Sequence, residues 1–196
     1  MKSNKSLIWT MIALIVIAAL YRIIPGRPWG FAPQIAMAIF GGAVIKDKKW
    51  AFALPVFSMF LSDLFYQGLY SAGVSSANIY GFYPGQWLTY CLFALMVVFG
   101  FAIKKINVIN VLAASLAAPC AFFLLSNFIT WSGMMGAQLR GLNRPFTFQG
   151  LLMAYSDGLP FFKGSLESTV FFSAVLFGGY YLLTKNNTAA VKAAHA

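Results

Sequence analysis

The stretch from Arg27 to Ile45, RPWGFAPQIAMAIFGGAVI, constrains the fold more than any other, because it is too apolar for a surface loop and too broken for an ordinary spanning helix. Pro28, Gly30 and Pro33 fall in its first third. Proline fixes φ and removes a backbone donor, which predicts irregular chain from Pro25 to Pro33 and then a helix from Gln34 to Ile45. Twelve helical residues reach only about 18 Å, short of a bilayer core of about 30 Å. The rest of the crossing must be non-helical chain, tolerated only where protein or a water-filled cavity satisfies its polar groups. The stretch is therefore expected to wall a site. Its small residues four apart, Ala32 with Ala36 and Ala38 with Gly42, permit close approach by another helix.

A chain with 60% hydrophobic and only 9% charged residues is expected to be an all-α integral membrane protein, with its 196 residues forming a single membrane domain. The net charge of +10 is no nucleic-acid signal, because most basic residues flank apolar runs, where a lipid bilayer is the partner. Cys91 and Cys120 lie inside apolar runs without a CxxC spacing and read as buried structural thiols. The one histidine, His195, is in a polar tail, so no His-based metal site or Ser-His-Asp triad can be assembled in the membrane. No GxxxxGK[ST] phosphate loop is present, and no cofactor is implied.

Taken in order, the apolar runs predict six transmembrane helices, at about 7–24, 34–45, 51–70, 85–103, 108–131 and 161–183, followed by a tail over 185–196. The second is short and irregularly started. Pro55 falls in the first turns of the third, where a missing donor costs least. Alanines at 113, 117 and 121 and at 114 and 118 stripe the fifth and read as a packing face. Ser71 to Pro84 is an uncharged polar loop or lid, and Ser132 to Pro160 a polar segment with an amphipathic stretch from Phe146 to Tyr155.

With both termini cytoplasmic, Lys2, Lys5, Lys46, Lys48, Lys49, Lys104, Lys105, Lys185 and Lys192 lie inside, nine residues against five outside: Arg22, Arg27, Arg140, Arg144 and Lys163. The positive-inside rule favours this orientation in a plasma membrane. Every arginine falls on the outer side, with Asp63, Asp157 and Glu167. Arginine is the residue for bidentate pairing with carboxylate or phosphate and for stacking on aromatic faces. Asp63 and Glu167 lie within or at the edge of apolar runs, where an ionisable group faces an interior cavity or a partner by default. One reading pairs each with an outer arginine to fix the bundle; the other places them at a solute site. The run Ser126 to Trp131 adds Asn127 and Trp131, an amide and a large aromatic near the outer end of the fifth helix. Trp131 is also well placed as an interfacial anchor.

The strings RPWGFAPQIAMAIFGGAVI, SMFLSDLFYQGLY, FFLLSNFITW and GLPFFKGSLESTVFFSAVLFGG, in this order, resemble an uncharacterised family of small bacterial inner-membrane proteins. That family in turn resembles the substrate-binding S components of energy-coupling factor vitamin transporters, through six helices, a short second helix and an outward pocket. The resemblance implies uptake of a small-molecule solute, a vitamin or related micronutrient, with ATP hydrolysis supplied by energising subunits in trans. It places Arg27, Trp29, Phe31, Asp63, Asn127, Trp131 and Glu167 near the site. The sequence departs from the pattern in one respect. S components that dock on a shared partner usually carry an AxxxA-type motif in the first helix, whereas Leu7 to Ile24 has alanines at 13, 18 and 19 only. A solitary S-like transporter is compatible with that absence. Two further classes stay open: a non-catalytic assembly subunit, which the alanine stripe alone would explain, and an intramembrane enzyme pairing Asp63 with Asp157 or Glu167, which lacks an accompanying nucleophile or metal motif. No enzymatic activity is expected.

Overall fold

The structure, a computed structural model, describes residues 2–74, 81–134 and 144–194, with side chains placed between 9 and 185. Six helices are present among these residues: α1 Lys2–Arg22, α2 Gln34–Val44, α3 Lys48–Ser71, α4 Gln86–Phe101, α5 Val108–Trp131 and α6 Phe148–Ala194. The chain between α1 and α2 is irregular, and α2, at 11 residues, is the shortest helix, as the Pro25 to Pro33 run predicts. Three helices are long and apolar enough to cross a membrane, within Lys48–Ser71, Val108–Trp131 and Phe148–Lys185; Trp9–Arg22, Gln34–Val44 and Gln86–Phe101 are apolar but shorter.

The distribution of polarity is consistent with a lipid surround. Trp9, Ile17, Trp87, Ile109 and Leu183 are exposed, while Gln34, Ser58, Ser62, Asp63, Ser168 and Thr169 are buried. In water such an exposed apolar surface would be a liability; in hydrocarbon it costs nothing, and the polar groups are the ones that need shelter.

α2 is the centre of the bundle. It touches α3, α4, α5 and α6, and Gln34 through Ile39 are all buried. A helix apolar on all sides has no face to give to solvent, so it is enclosed. Its tightest neighbour is α4: a side chain on Gly42 would collide with the Val97 carbonyl and with Gly100, and one on Gly100 with the Ile39 carbonyl. Of the small residues expected to admit another helix, Gly42 does so, while Ala32 lies in the connection before α2.

Local sequence sets the helix ends. Asp47 caps α3 by accepting from the Lys49 amide at 2.9 Å, and Asn107 caps α5 by accepting from Asn110 at 2.8 Å. Gly73, at φ 69°, ends α3 in a Schellman turn, with Val74 donating to Leu69 and Gly73 to Tyr70. Lys46, Lys48, Lys49, Lys104 and Lys105 lie in or beside the two short turns at one end of the bundle, the lysine end. Arg22, Arg27 and Arg144 lie at the other, the arginine end.

Four expectations are corrected. The last helix begins at Phe148, not near 161, and runs through Pro160 to Ala194, so the predicted tail over 185–196 is helical as far as 194. Proline removes one hydrogen bond, and in a packed or membrane-type helix neighbouring groups make good the loss. Pro55 lies well inside α3, which starts at Lys48; it is fully buried, and its carbonyl accepts from Ser58. Cys91 and Cys120 are free but exposed on the flanks of their helices. The alanine stripe of α5 is split: Ala114 and Ala118 are buried and Ala113 and Ala117 exposed. The predicted loops over 71–84 and 132–160 include residues 75–80 and 135–143, among them Arg140, which lie outside the described residues.

Candidate solute cavity at the arginine end

Two polar systems occupy the arginine end, one closed and one open. The closed system surrounds Asp63, which is 2% exposed on α3. Its Oδ1 receives Arg22 Nη1 at 2.6 Å, and its Oδ2 receives Gln86 Nε2 at 2.5 Å and the Tyr90 hydroxyl at 2.8 Å. Gln86 also donates to the Gly81 carbonyl and accepts from the Tyr83 amide, and the Tyr66 hydroxyl donates to the Arg22 carbonyl. The Arg22 guanidinium lies 5.6 Å from the centre of the Tyr66 ring. An isolated carboxylate here would be very costly; one ion pair and two neutral donors satisfy both its oxygens. The network ties the end of α1 to α3 and α4.

The open system is a cavity of about 390 Å³ walled by the end of α1, the α1–α2 connection and α2, α3, α4, α5 and α6. That volume is in the range of small-molecule sites. Its polar lining is Arg22, Arg27, Gln34, Thr89, Ser126, Asn127 and Ser165, and among the described residues no acidic one lines it. Phe93 and Phe122, with ring centroids 4.7 Å apart, and Phe123 and Phe162, also 4.7 Å apart, form the apolar walls. Arg27 Nη1 donates to the Phe31 carbonyl at 2.6 Å, which folds the connection back on itself. Its Nε is buried and has no partner among the described residues. Gln34, 1% exposed, likewise has neither its amide oxygen nor its nitrogen paired. Asn127 Nδ2 donates to the Phe123 carbonyl at 2.8 Å, and the amide sits where any side chain on Gly158 would be.

The seven sequence-predicted residues are dispersed. Arg27 and Asn127 line the cavity. Asp63 stands behind Arg22, whose charge it balances. Trp29 is 66% exposed and stacks on Phe161, one of the lining residues, with centroids 5.3 Å apart and planes 13° from parallel. Phe31 packs against Tyr21, Phe171 and Phe172. Trp131 donates its indole N–H to the Pro145 carbonyl at 3.0 Å and meets Phe146 edge-on. Glu167 is exposed on α6. It follows the lining residue Ser165 by two positions, about 200° round a helix, so it points away from the cavity. Arg144 forms a two-pronged pair with Asp157 at 2.9 Å for each prong, and the hydrogen-bonded carboxylate holds its pKa above the ordinary arginine value.

Gln34, Arg22, Thr89 and Ser165 line the cavity and are not among the seven predicted residues. Gln34 carried a usable signal, as a polar residue opening a helix that is otherwise wholly apolar. Among the described residues no three His, Cys, Asp or Glu side chains gather to hold a metal.

Fold and site together define a helical bundle of membrane type with an aromatic-walled, polar-headed cavity at one end. The chain belongs to a family of unknown function, DUF6580, which it matches over residues 2–191. No curated protein and no solved structure matches it.

Proposed function

We propose that this protein binds a small solute in the cavity at the arginine end and takes part in its uptake across a bacterial inner membrane, in the manner of an S component. One observation carries the reading: a cavity of about 390 Å³ at the arginine end is walled by aromatic rings and headed by polar side chains, Arg27, Thr89, Ser126 and Asn127 among them. A concave site of that size, mostly apolar with a few polar groups, is the usual form of a small-molecule site. A vitamin or related micronutrient fits the aromatic walls. The lack of a phosphate loop leaves ATP hydrolysis to subunits in trans. The test is mass spectrometry of small molecules retained by the detergent-solubilised protein. A solute present in the wild type and lost in Arg27→Ala, at unchanged yield of folded protein, supports the reading, and equal small-molecule content in both would overturn it.

The orientation belongs to the same proposal: six spans, both termini cytoplasmic, arginine end outward, based on nine basic residues against five. In a variant lacking Cys91 and Cys120, a cysteine replacing Val74, 68% exposed beyond α3, is expected to react with a membrane-impermeant maleimide in intact spheroplasts. A cysteine replacing Lys105 is expected to react only after permeabilisation, and the reverse pattern would invert the topology. An assembly subunit is the second reading, favoured by the outward-facing Ala113 and Ala117 on α5.

A further inference from the structure

We propose that the groove between α5 and α6 at the lysine end seats one acyl chain of an anionic phospholipid, whose phosphate is held by Lys104, Lys105 and Lys185. The inference requires only that the bundle lies in a bilayer, and it stands whether or not the arginine-end cavity takes a solute. The groove has a volume of about 540 Å³. α5 lends it Val108, Val111 and Leu112, and α6 lends it Val170, Phe177 and Tyr181. Val108, Leu112 and Tyr181 are exposed, so the groove opens on the outer surface of the bundle, which hydrocarbon would surround. Left empty there, an apolar depression forfeits dispersion contacts along its whole wall.

Length selects the occupant. The α6 positions that line the groove are 170, 173, 174, 177, 178 and 181, the spacing of one helix face. At 1.5 Å per residue they extend roughly 17 Å, close to half of a hydrocarbon core of about 30 Å and hence to the depth of one leaflet. A lipid chain entering from one membrane surface covers that depth. The groove is open along this face, since a Cβ on Gly178 would meet nothing within 4 Å. A partner helix, about 10 Å across, would need small residues on both walls, whereas bulky Leu112, Phe177 and Tyr181 line this one.

Charge selects the headgroup. Lys104 and Lys105 immediately precede the lining residues Ile106 and Asn107. α6 passes the arginine-end cavity at Phe161, Phe162 and Ser165, so Tyr181 lies toward the lysine end, and the exposed Lys185 continues the same face one turn further on. Among the described residues none of these three lysines is in an ion pair. Of the four acidic residues in the sequence only Asp47 belongs to the lysine end, and it caps α3 in the other turn. A lipid phosphate supplies the missing countercharge, and each lysine near a membrane surface favours an anionic lipid about fivefold.

The test uses the full chain in a mild detergent with equal amounts of dioleoylphosphatidylglycerol and dioleoylphosphatidylcholine, and native mass spectrometry counts the lipids retained. The wild type is expected to retain phosphatidylglycerol in about fivefold excess or more. Gly178→Leu puts a branched side chain into the open groove and should retain one lipid fewer. Gly179→Leu, next along the helix, outside the groove lining and equally free of neighbours within 4 Å, should retain the wild-type number. Lys104→Gln, Lys105→Gln and Lys185→Gln together should bring the preference close to one, while Lys46→Gln, Lys48→Gln and Lys49→Gln, which remove equal charge in the other turn, should leave it. Equal retention of the two lipids by the wild type would overturn the proposal, as would the same lipid number in Gly178→Leu and Gly179→Leu or the same loss of preference in both lysine variants. Dimers of the wild type that disappear in Gly178→Leu with lipid retention unchanged would give the groove to a second helix instead. The wild type and the lysine variants decide the matter even if Gly178→Leu fails to fold.

Discussion

Asp63→Ala is expected to cost the folded protein about 3 kcal/mol, seen as a large fall in the midpoint of thermal unfolding in detergent. The substitution strips Arg22 of its carboxylate and leaves Gln86 Nε2 and the Tyr90 hydroxyl without the acceptor they share. Removing one partner of a buried pair costs about 3–5 kcal/mol, and the low end applies because the Arg22 side chain keeps 22% of its surface exposed. The double variant Arg22→Met with Asp63→Leu should recover much of the loss, since it leaves no unpaired charge. Arg27→Ala, by contrast, should leave stability nearly unchanged, because among the described residues Arg27 bonds only within its own connection, to the Phe31 carbonyl. Heating followed by size-exclusion chromatography separates the cases. Equal losses in Asp63→Ala and Arg27→Ala would mean that both arginines brace the bundle.

The second large effect is expected at the crossing of α2 and α4. In Gly42→Ala and Gly100→Ala the new methyl group meets backbone, the Val97 carbonyl in one case and the Ile39 carbonyl in the other. Backbone cannot rotate out of the way, so the helices must separate, at a cost of about 1–3 kcal/mol or more. Because α2 also carries Gln34 into the cavity, both variants should lose bound solute as well as stability. Gly179→Ala is the control: nothing lies within 4 Å of its added methyl group, and alanine is the better helix former. If all three variants melt at the same temperature, the helices do not cross this closely.

These outcomes bear on what can be read from a one-dimensional string. The break before α2 was legible because proline and glycine act locally, on their own φ and their own amide. The continuous α6 was not, because Pro160 and a run of polar residues look like a terminus until their partners are known. Asp157 pairs with Arg144, the Tyr155 hydroxyl reaches the Leu124 carbonyl, and Ser156 bonds back to Leu152. The same limit applies at the site. Arg27 and Asn127 declare themselves by residue type and position, but whether an acidic residue serves a ligand or a neighbour depends on what lies across the bundle. Asp63 has Arg22 there, 41 residues earlier in the chain. Glu167 was separated from the cavity by helical phase alone, a matter of two residues that its neighbourhood in sequence does not settle.

The connection between α1 and α2 touches α6 through glycines. A side chain on Gly30, which sits at φ +72°, would strike the Phe161 carbonyl, and one on Gly164 would strike the Trp29 carbonyl. Main chain lies directly on main chain at both places, without side chains whose rotamers could absorb a displacement. Connection and helix are thus interlocked, with Trp29 clamped over Phe161 beside them. Sliding along α6 is blocked at two points, so a motion that widens the cavity has to carry the connection and this part of α6 together.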